Sequence, residues 1–285
     1  MDLDVYSDSE KEMIAREFLY KNLIAENEEY FGNNDEKWLS YVCDAWMNDE
    51  SSSRHRYDTM RSIIGDEKIK KSRILDMSSG CGTFVFYGLM NGYDVYGIEP
   101  EKWKHQFNFL KAKEKGYPDT WMKKFCFGVG EYLPFNEGTF DIIFTYQTLE
   151  HVQSHQKCFS EFKRVLKNGG HLFVQCPDYS SFFDGHYRIP MLPLMNRSLF
   201  KIYLKILKKP TKGLDTINYI TKKTIYRFLN NDFEIYDIAL IQIKSRICNR
   251  IRINSKMLDY FNLTYSQIKN IFRRKNSVNL FAIKR

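Results

Sequence analysis

The stretch Ile74-Leu75-Asp76-Met77-Ser78-Ser79-Gly80-Cys81-Gly82 constrains this chain more than any other. A short apolar run ends in an acid, enters a turn with two glycines, and leads into the helical pattern Thr83–Met90. A strand entering a helix through such a turn bares backbone to a ligand at the helix N-terminus. Seventeen residues after Gly82, Glu99 closes a second apolar run over Tyr93–Ile98. An acid at that position can accept both hydroxyls of a ribose. Turn and acid together point to an adenosine-containing cofactor.

The pattern around them predicts a parallel sheet. Strands are expected at Arg73–Asp76, Tyr93–Ile98, Phe125–Val129, Phe140–Thr145 and His171–Gln175, with helices at Thr83–Met90, Trp103–Lys115 and Ser154–Leu166. Lys167-Asn168-Gly169-Gly170 is expected to cap the last of these. Short apolar strands alternating with helices indicate βαβ units. Two further strands are expected at Phe233–Lys244 and Ser277–Ile283, with a basic, partly helical stretch over 245–276. Residues 1–65 carry helical spacing, with a turn at Asp49–Ser53 and a new helix opening at Arg54. Residues 178–230 break the rhythm with an aromatic-rich loop and helices near Asn196–Lys209 and Thr221–Asn230. The chain is therefore divided into a helical segment (1–68), a cofactor-binding core (69–177), an insert capping the substrate (178–230) and a strand pair with a basic insert (231–285).

Two cofactor classes compete for the turn. A dinucleotide fold wants a third glycine three residues after the second, where this chain has Val85. Asp76 would also stand beside a pyrophosphate, whereas it suits a cationic sulfonium. The motifs resemble the class I S-adenosylmethionine-dependent methyltransferases, the small-molecule branch in particular. Roughly residues 70–180 carry the likeness in register. Asp76, Ser78, Gly80 and Gly82 align with the family's first motif, Ser78 replacing a glycine. Glu99 aligns with its second-strand acid, and Gly128-Val129-Gly130-Glu131-Tyr132-Leu133-Pro134-Phe135 with its adenine loop, Val129 standing where an Asp is usual. Phe140–Phe144, the loop Tyr146–Val152 and Arg164–Gly170 match later motifs. The resemblance implies a seven-stranded, mostly parallel Rossmann-like sheet. It also implies S-adenosylmethionine held by Asp76, Ser78, Gly80, Gly82, Glu99, Gly130 and Glu131, with Tyr146 and Gln147 at its methionine end. The insert, with Arg188-Ile189-Pro190 and Asp215-Thr216-Ile217-Asn218-Tyr219, resembles that of methyltransferases of bacterial surface-glycan (capsular polysaccharide) synthesis.

Methyl transfer to a hydroxyl needs a base, and histidine has the suitable pKa. His151, after the fourth strand, and His186, in the insert, are the candidates. Asp184 could orient His186, Tyr187 could stack on a sugar ring, and Arg188 could hold a phosphate or carboxylate. No metal site is expected, because the six cysteines are scattered without a C-x-x-C pair. They read as reduced thiols of a cytoplasmic protein, and the acidic N-terminus does not look like a signal peptide.

Net charge is +8, but residues 197–285 carry 20 basic and 5 acidic side chains, so the rest of the chain is net negative. That asymmetry points to an anionic partner or to simply solvated lysines. Lys201, Lys205 and Lys208, set among Leu, Phe, Ile and Tyr, could rest on an anionic membrane, grip a diphosphate or face solvent from a packed cap helix. The expected function is O-methylation of a sugar, nucleotide sugar or phosphorylated glycan precursor. An RNA methyltransferase, a non-catalytic cofactor-binding scaffold and a nicotinamide oxidoreductase are the competing readings. Nucleic acid is disfavoured because the chain has no separate RNA-binding module.

Overall fold

The computed structural model describes residues 14–32, 35–239 and 277–285. Among the described residues four helices come first: α1 (Ala15–Tyr30), α2 (Glu36–Met47), α3 (Asp49–Ile64) and the short α4 (Asp66–Lys70). The core follows as β1 (Arg73–Met77), α5 (Thr83–Met90), β2 (Asp94–Glu99), α6 (Lys102–Glu114), β3 (Phe125–Phe127), β4 (Phe140–Tyr146), α7 (His155–Val165) and β5 (Leu166–Pro177). The insert holds a small hairpin, β6 (Phe183–Asp184) and β7 (Ile189–Pro190), then α8 (Arg197–Ile206) and α9 (Lys212–Asp215). Helix α10 (Lys222–Leu229), β8 (Phe233–Asp237) and β9 (Ser277–Lys284) complete the chain.

Seven strands form one sheet in the order β3-β2-β1-β4-β5-β9-β8. The first five are parallel, and β9 runs against both β5 and β8. Side chains alternate between faces along each strand. Ile74, Ile142 and Phe144 join Tyr57, Phe84 and Val85 on one face. Leu75, Met77 and Ile143 join Phe159, Phe162 and Ile225 on the other. Helices cover both faces, which is why the strands read as continuous apolar runs. Order reverses between β1 and β4, so a crevice opens at their C-terminal ends, where ligands bind in open α/β sheets. The seven-stranded Rossmann-like fold is thus as expected.

Three local expectations are corrected. Asp49–Ser53 is no turn but the first turn of α3, because the Asn48 side chain accepts from Ser51 N and caps the helix there. Lys167–Gly170 is not a helical cap but lies inside β5, since Leu166 is already extended and pairs with Phe140. The third strand ends at Phe127, and Val129 makes only an isolated bridge to Tyr132. The expected strand beyond residue 239 and the basic stretch 245–276 lie outside the described residues.

The N-terminal helices pack through Phe18, Leu19, Leu23, Leu39 and Cys43 onto Phe107 and Leu110 of α6. The insert has its own apolar cluster of Tyr179, Tyr187, Phe200, Leu204 and Leu214, against which Phe31 packs. Both additions therefore stand over the C-terminal edge of the sheet. No helix among the described residues is long and apolar enough to cross a membrane.

Candidate active site

A cleft of about 2240 Å³ lies at that edge. It exceeds the size of an ordinary small-molecule site, so it has room for a cofactor and an acceptor together. Its floor is the β1–α5 turn. Ser78, Gly80 and Gly82 all take positive φ, at 58°, 53° and 69°. Ser78 thus adopts the left-handed conformation suited to the glycine it replaces, at a cost of roughly 1 kcal/mol. A side chain built on Gly80 would meet nothing nearer than Ser78 O at 4.0 Å, so open space lies beside bare backbone. Gly82 has a different role. A Cβ there would strike Asn108 Oδ1 at 2.8 Å and Phe86 at 2.9 Å, and Gly82 does not line the cleft. Its bareness serves the packing of α5 on α6 rather than contact with a ligand.

Glu99 is buried at the end of β2 and lines the cleft. Its Oε2 accepts from Gly80 N at 2.9 Å and its Oε1 from Glu101 N at 3.1 Å, with Lys104 Nζ at 3.8 Å. Turn and acid are therefore one unit. These bonds aim the carboxylate and leave lone pairs free for hydroxyl donors. Burial lowers the Lys104 ammonium's pKa, but Glu99, Glu101 and Glu26 outweigh it and hold the group charged. Asp76, also buried and cleft-lining, is pushed up to about 7 by burial, with the Arg56 guanidinium opposing and Glu99 reinforcing the shift. It is poised to ionise when a cation approaches.

Tyr146 ends β4 and Gln147 follows it, both in the cleft wall. Gln147 has φ 53°, its N–H donates to Gln175 O at 2.8 Å, and Thr148 Oγ1 donates to Met77 O at 3.0 Å, tying this loop to β1 and β5. Sequence reasoning missed a further wall. Arg56 of α3 lies over the rings of Phe84 and Tyr146, at 5.1 and 4.9 Å, and donates to Ser53 Oγ and Thr83 Oγ1. Arg54, His55 and Arg197 also line the cleft. Docking of α3 on the sheet places Arg54, His55 and Arg56, and the insert places Arg197; no local motif announces either.

His151 and His186 come together across the cleft, Nε2 to Nε2 at 3.2 Å. His151 Nδ1 lies 3.3 Å from Thr216 O, and a carbonyl can only accept, which puts the proton on that nitrogen. His186 Nδ1 lies 3.2 Å from the buried hydroxyl of Tyr179. A chain in which Tyr179 donates to His186, His186 to His151 and His151 to Thr216 satisfies every atom along it. Phe31 stacks on the His186 ring at 5.6 Å, so the N-terminal helices help close the site. Burial pulls both imidazoles down to about 4, and the neighbouring imidazole adds to the effect at His151. Beneath them lies the fully buried Glu150, which burial raises to about 8 and whose two carboxyl oxygens have no hydrogen-bond partner among the described residues. Glu150, His151 and His186 have ligand atoms within 4.8 Å of one another, a donor set that could also hold a divalent cation.

The insert is pinned to this loop by Asn218. Its N–H donates to Glu150 O at 2.7 Å, and its Nδ2 to Val152 O and Gln153 O. The Asp215–Tyr219 run thus fixes the cap over the histidine pair, with Tyr219 stacked on Tyr179 at 4.6 Å.

Five other expected residues lie outside the cleft lining. Gly130 is packed against Cys158 Sγ and Met77 Cε, each 2.9 Å from where a Cβ would stand. Glu131 is turned away from ligand duty, because its Oε1 accepts from Gln153 N and Ser154 N at the start of α7. Asp184 does not orient the His186 ring but holds its loop, accepting from Tyr187 N at 2.7 Å and from His186 N. Tyr187 is buried between Phe31 and Phe200 and cannot stack on a ligand. Arg188 is exposed and lies over Trp38 at 5.9 Å.

Comparison with known proteins agrees with this layout. Residues 75–174 match the family described as a methyltransferase domain. An uncharacterized protein of Methanocaldococcus jannaschii is 25% identical over 205 residues, 72% of this chain and 76% of its own length. An uncharacterized methyltransferase of Schizosaccharomyces pombe is 30% identical over 161 residues, 53% of each chain. Among solved structures, the YcgJ protein of Bacillus subtilis has a TM-score of 0.47 at 18% identity, covering 80% of this chain and 96% of that one. Together, the match to a methyltransferase domain, the glycine turn and Glu99 support S-adenosylmethionine as the cofactor.

Proposed function

We propose that the chain transfers a methyl group from S-adenosylmethionine to a hydroxyl of a sugar, nucleotide sugar or phosphorylated glycan precursor. The observation that carries this reading is the His151–His186 contact in the same cleft as Gly80 and Glu99. When bound, S-adenosylmethionine supplies an electrophilic methyl carbon on a good leaving group. What remains for the protein is to align the acceptor, exclude water and take a proton. Glu99 and the bare backbone at Gly80 would hold the adenosine end, and Asp76 would face the cationic end. The acceptor hydroxyl would displace His186 from His151 Nε2 and give its proton to that nitrogen, the Nδ1–H of His151 staying on Thr216 O. An anionic acceptor would draw on the cleft's guanidinium groups, of which Arg54 is shared with Glu50 and Arg197 with the Leu214 and Ile217 carbonyls.

The test is methyl-labelled S-adenosylmethionine incubated with purified protein and a panel of sugars, nucleotide sugars and sugar phosphates, with RNA as a comparator. Label on an anionic sugar, insensitive to EDTA, is the expected result. Transfer to RNA alone, or activity abolished by chelation, would overturn the acceptor or the base assignment respectively.

A further inference from the structure

Among the described residues the insert carries an exposed apolar surface. Phe182, Leu192, Leu194, Leu199, Ile202 and Ile206 are all exposed, Ile206 at 72%. Backbone bonds tie together the segments that carry them. Met191 N donates to Phe182 O, Met195 N to Leu192 O, and Leu194 N to Tyr179 O, so one turn system joins the β6 hairpin to the start of α8. On α8 itself Leu199, Ile202 and Ile206 share one helical face, while Phe200 and Leu204 fill the cap's core from another. The helix thus has two apolar faces, and packing uses only one.

Charge selects the occupant. Lys201 is paired with Asp215 at 2.8 Å, but Lys205, Lys208 and Lys209 make no ion pair among the described residues. Lys205 borders the apolar stripe, and Lys208 and Lys209 follow at its end. A symmetric pairing of two copies through this face would bring like charges together. A nucleic acid would match the lysines and leave the Leu and Ile side chains in water. An anionic bilayer matches both, because apolar side chains enter the acyl boundary while lysines reach the headgroups. We infer that the outer face of the insert, from Phe182 through Ile206, docks on an anionic lipid surface. The hairpin that turns Phe182 outward presents His186 to the cleft, so docking would bring the acceptor side of the site to headgroup level.

The experiment is flotation of the full chain with vesicles of phosphatidylcholine alone and of phosphatidylcholine with phosphatidylglycerol, at low and high salt. Binding to the anionic vesicles only, weakened by salt, is expected. Lys205→Glu with Lys208→Glu should weaken it about fivefold per lysine removed. Ile202→Ser with Ile206→Ser should reduce it by at least about tenfold. Both double variants should keep the wild-type melting temperature and S-adenosylhomocysteine affinity, since neither pair lines the cleft. No binding to either vesicle, or binding unchanged by the variants, would overturn the inference. So would a dimer in sedimentation that the isoleucine variant dissolves while vesicle binding is absent. The readout needs no turnover, so its failure would leave the methyl-transfer reading untouched.

Discussion

The two sides of the cleft are built differently. The cofactor side is made by consecutive pieces of one βαβ unit, and Glu99 reaches Gly80 N across only 19 residues. The acceptor side is assembled from segments far apart. His151 follows β4, His186 belongs to the insert, Thr216 holds one ring and Phe31 stacks on the other. Backbone conformation fixes the first side, whereas side-chain bonds between separate elements fix the second. In the proposed reaction the first half would hold the cofactor and the second would select what receives the methyl group.

The comparison predicts that the acceptor side can be disabled without touching the cofactor side. His151→Ala or His186→Ala should each lower turnover about 10²–10⁴-fold and leave S-adenosylhomocysteine affinity unchanged. Because burial holds both rings down to about 4, they stay neutral through the range where a free histidine charges. The rate should therefore persist below pH 6 and fall only as pH approaches about 4. A rate that drops near 6.5 would mean that neither of these two desolvated rings is the base. Losing cofactor affinity in either variant would break the division itself.

A smaller effect is expected on the cofactor side. Asp76 titrates near pH 7, and only its ionised form attracts a cationic ligand. S-adenosylmethionine affinity should weaken as pH falls below about 7, by at most about tenfold per pH unit, with proton release on binding visible in calorimetric buffers of different ionisation enthalpy. Asp76→Asn should flatten that dependence. The smallest effect belongs to Arg188→Ala. The exposed guanidinium over Trp38 touches neither side of the cleft, so turnover should stay within about twofold and stability within ~0.5 kcal/mol. A large loss of turnover would put Arg188 back among the acceptor contacts.

The same contrast explains what could be read from the sequence. Asp76, Gly80 and Glu99 were legible because strand, turn and acid are local and ordered along the chain. The histidines were legible as candidates by chemistry and position, but not as partners, since their contact depends on Asn218 pinning the insert to the 150–153 loop. Asp184, Tyr187 and Arg188 looked like a substrate cluster because polar residues crowd one glycine. In the fold, Asp184 holds the loop, Tyr187 fills the cap's core and only His186 faces the cleft. Glu131 misled for a similar reason, since the start of α7 needed an acceptor and took its carboxylate. Arg56 went unremarked because nothing local to α3 says which face of the helix meets the cofactor turn.

The central claim is that the Gly80–Glu99 unit holds an adenosyl cofactor. The most direct test is calorimetric titration of the purified protein with S-adenosylmethionine and S-adenosylhomocysteine, with NAD as control, repeated on Glu99→Ala. We predict micromolar binding of both adenosyl ligands, none of NAD, and a loss of about 10–100-fold in the variant, the cost of removing charged hydrogen bonds. Preference for NAD, or adenosyl binding indifferent to Glu99, would contradict it.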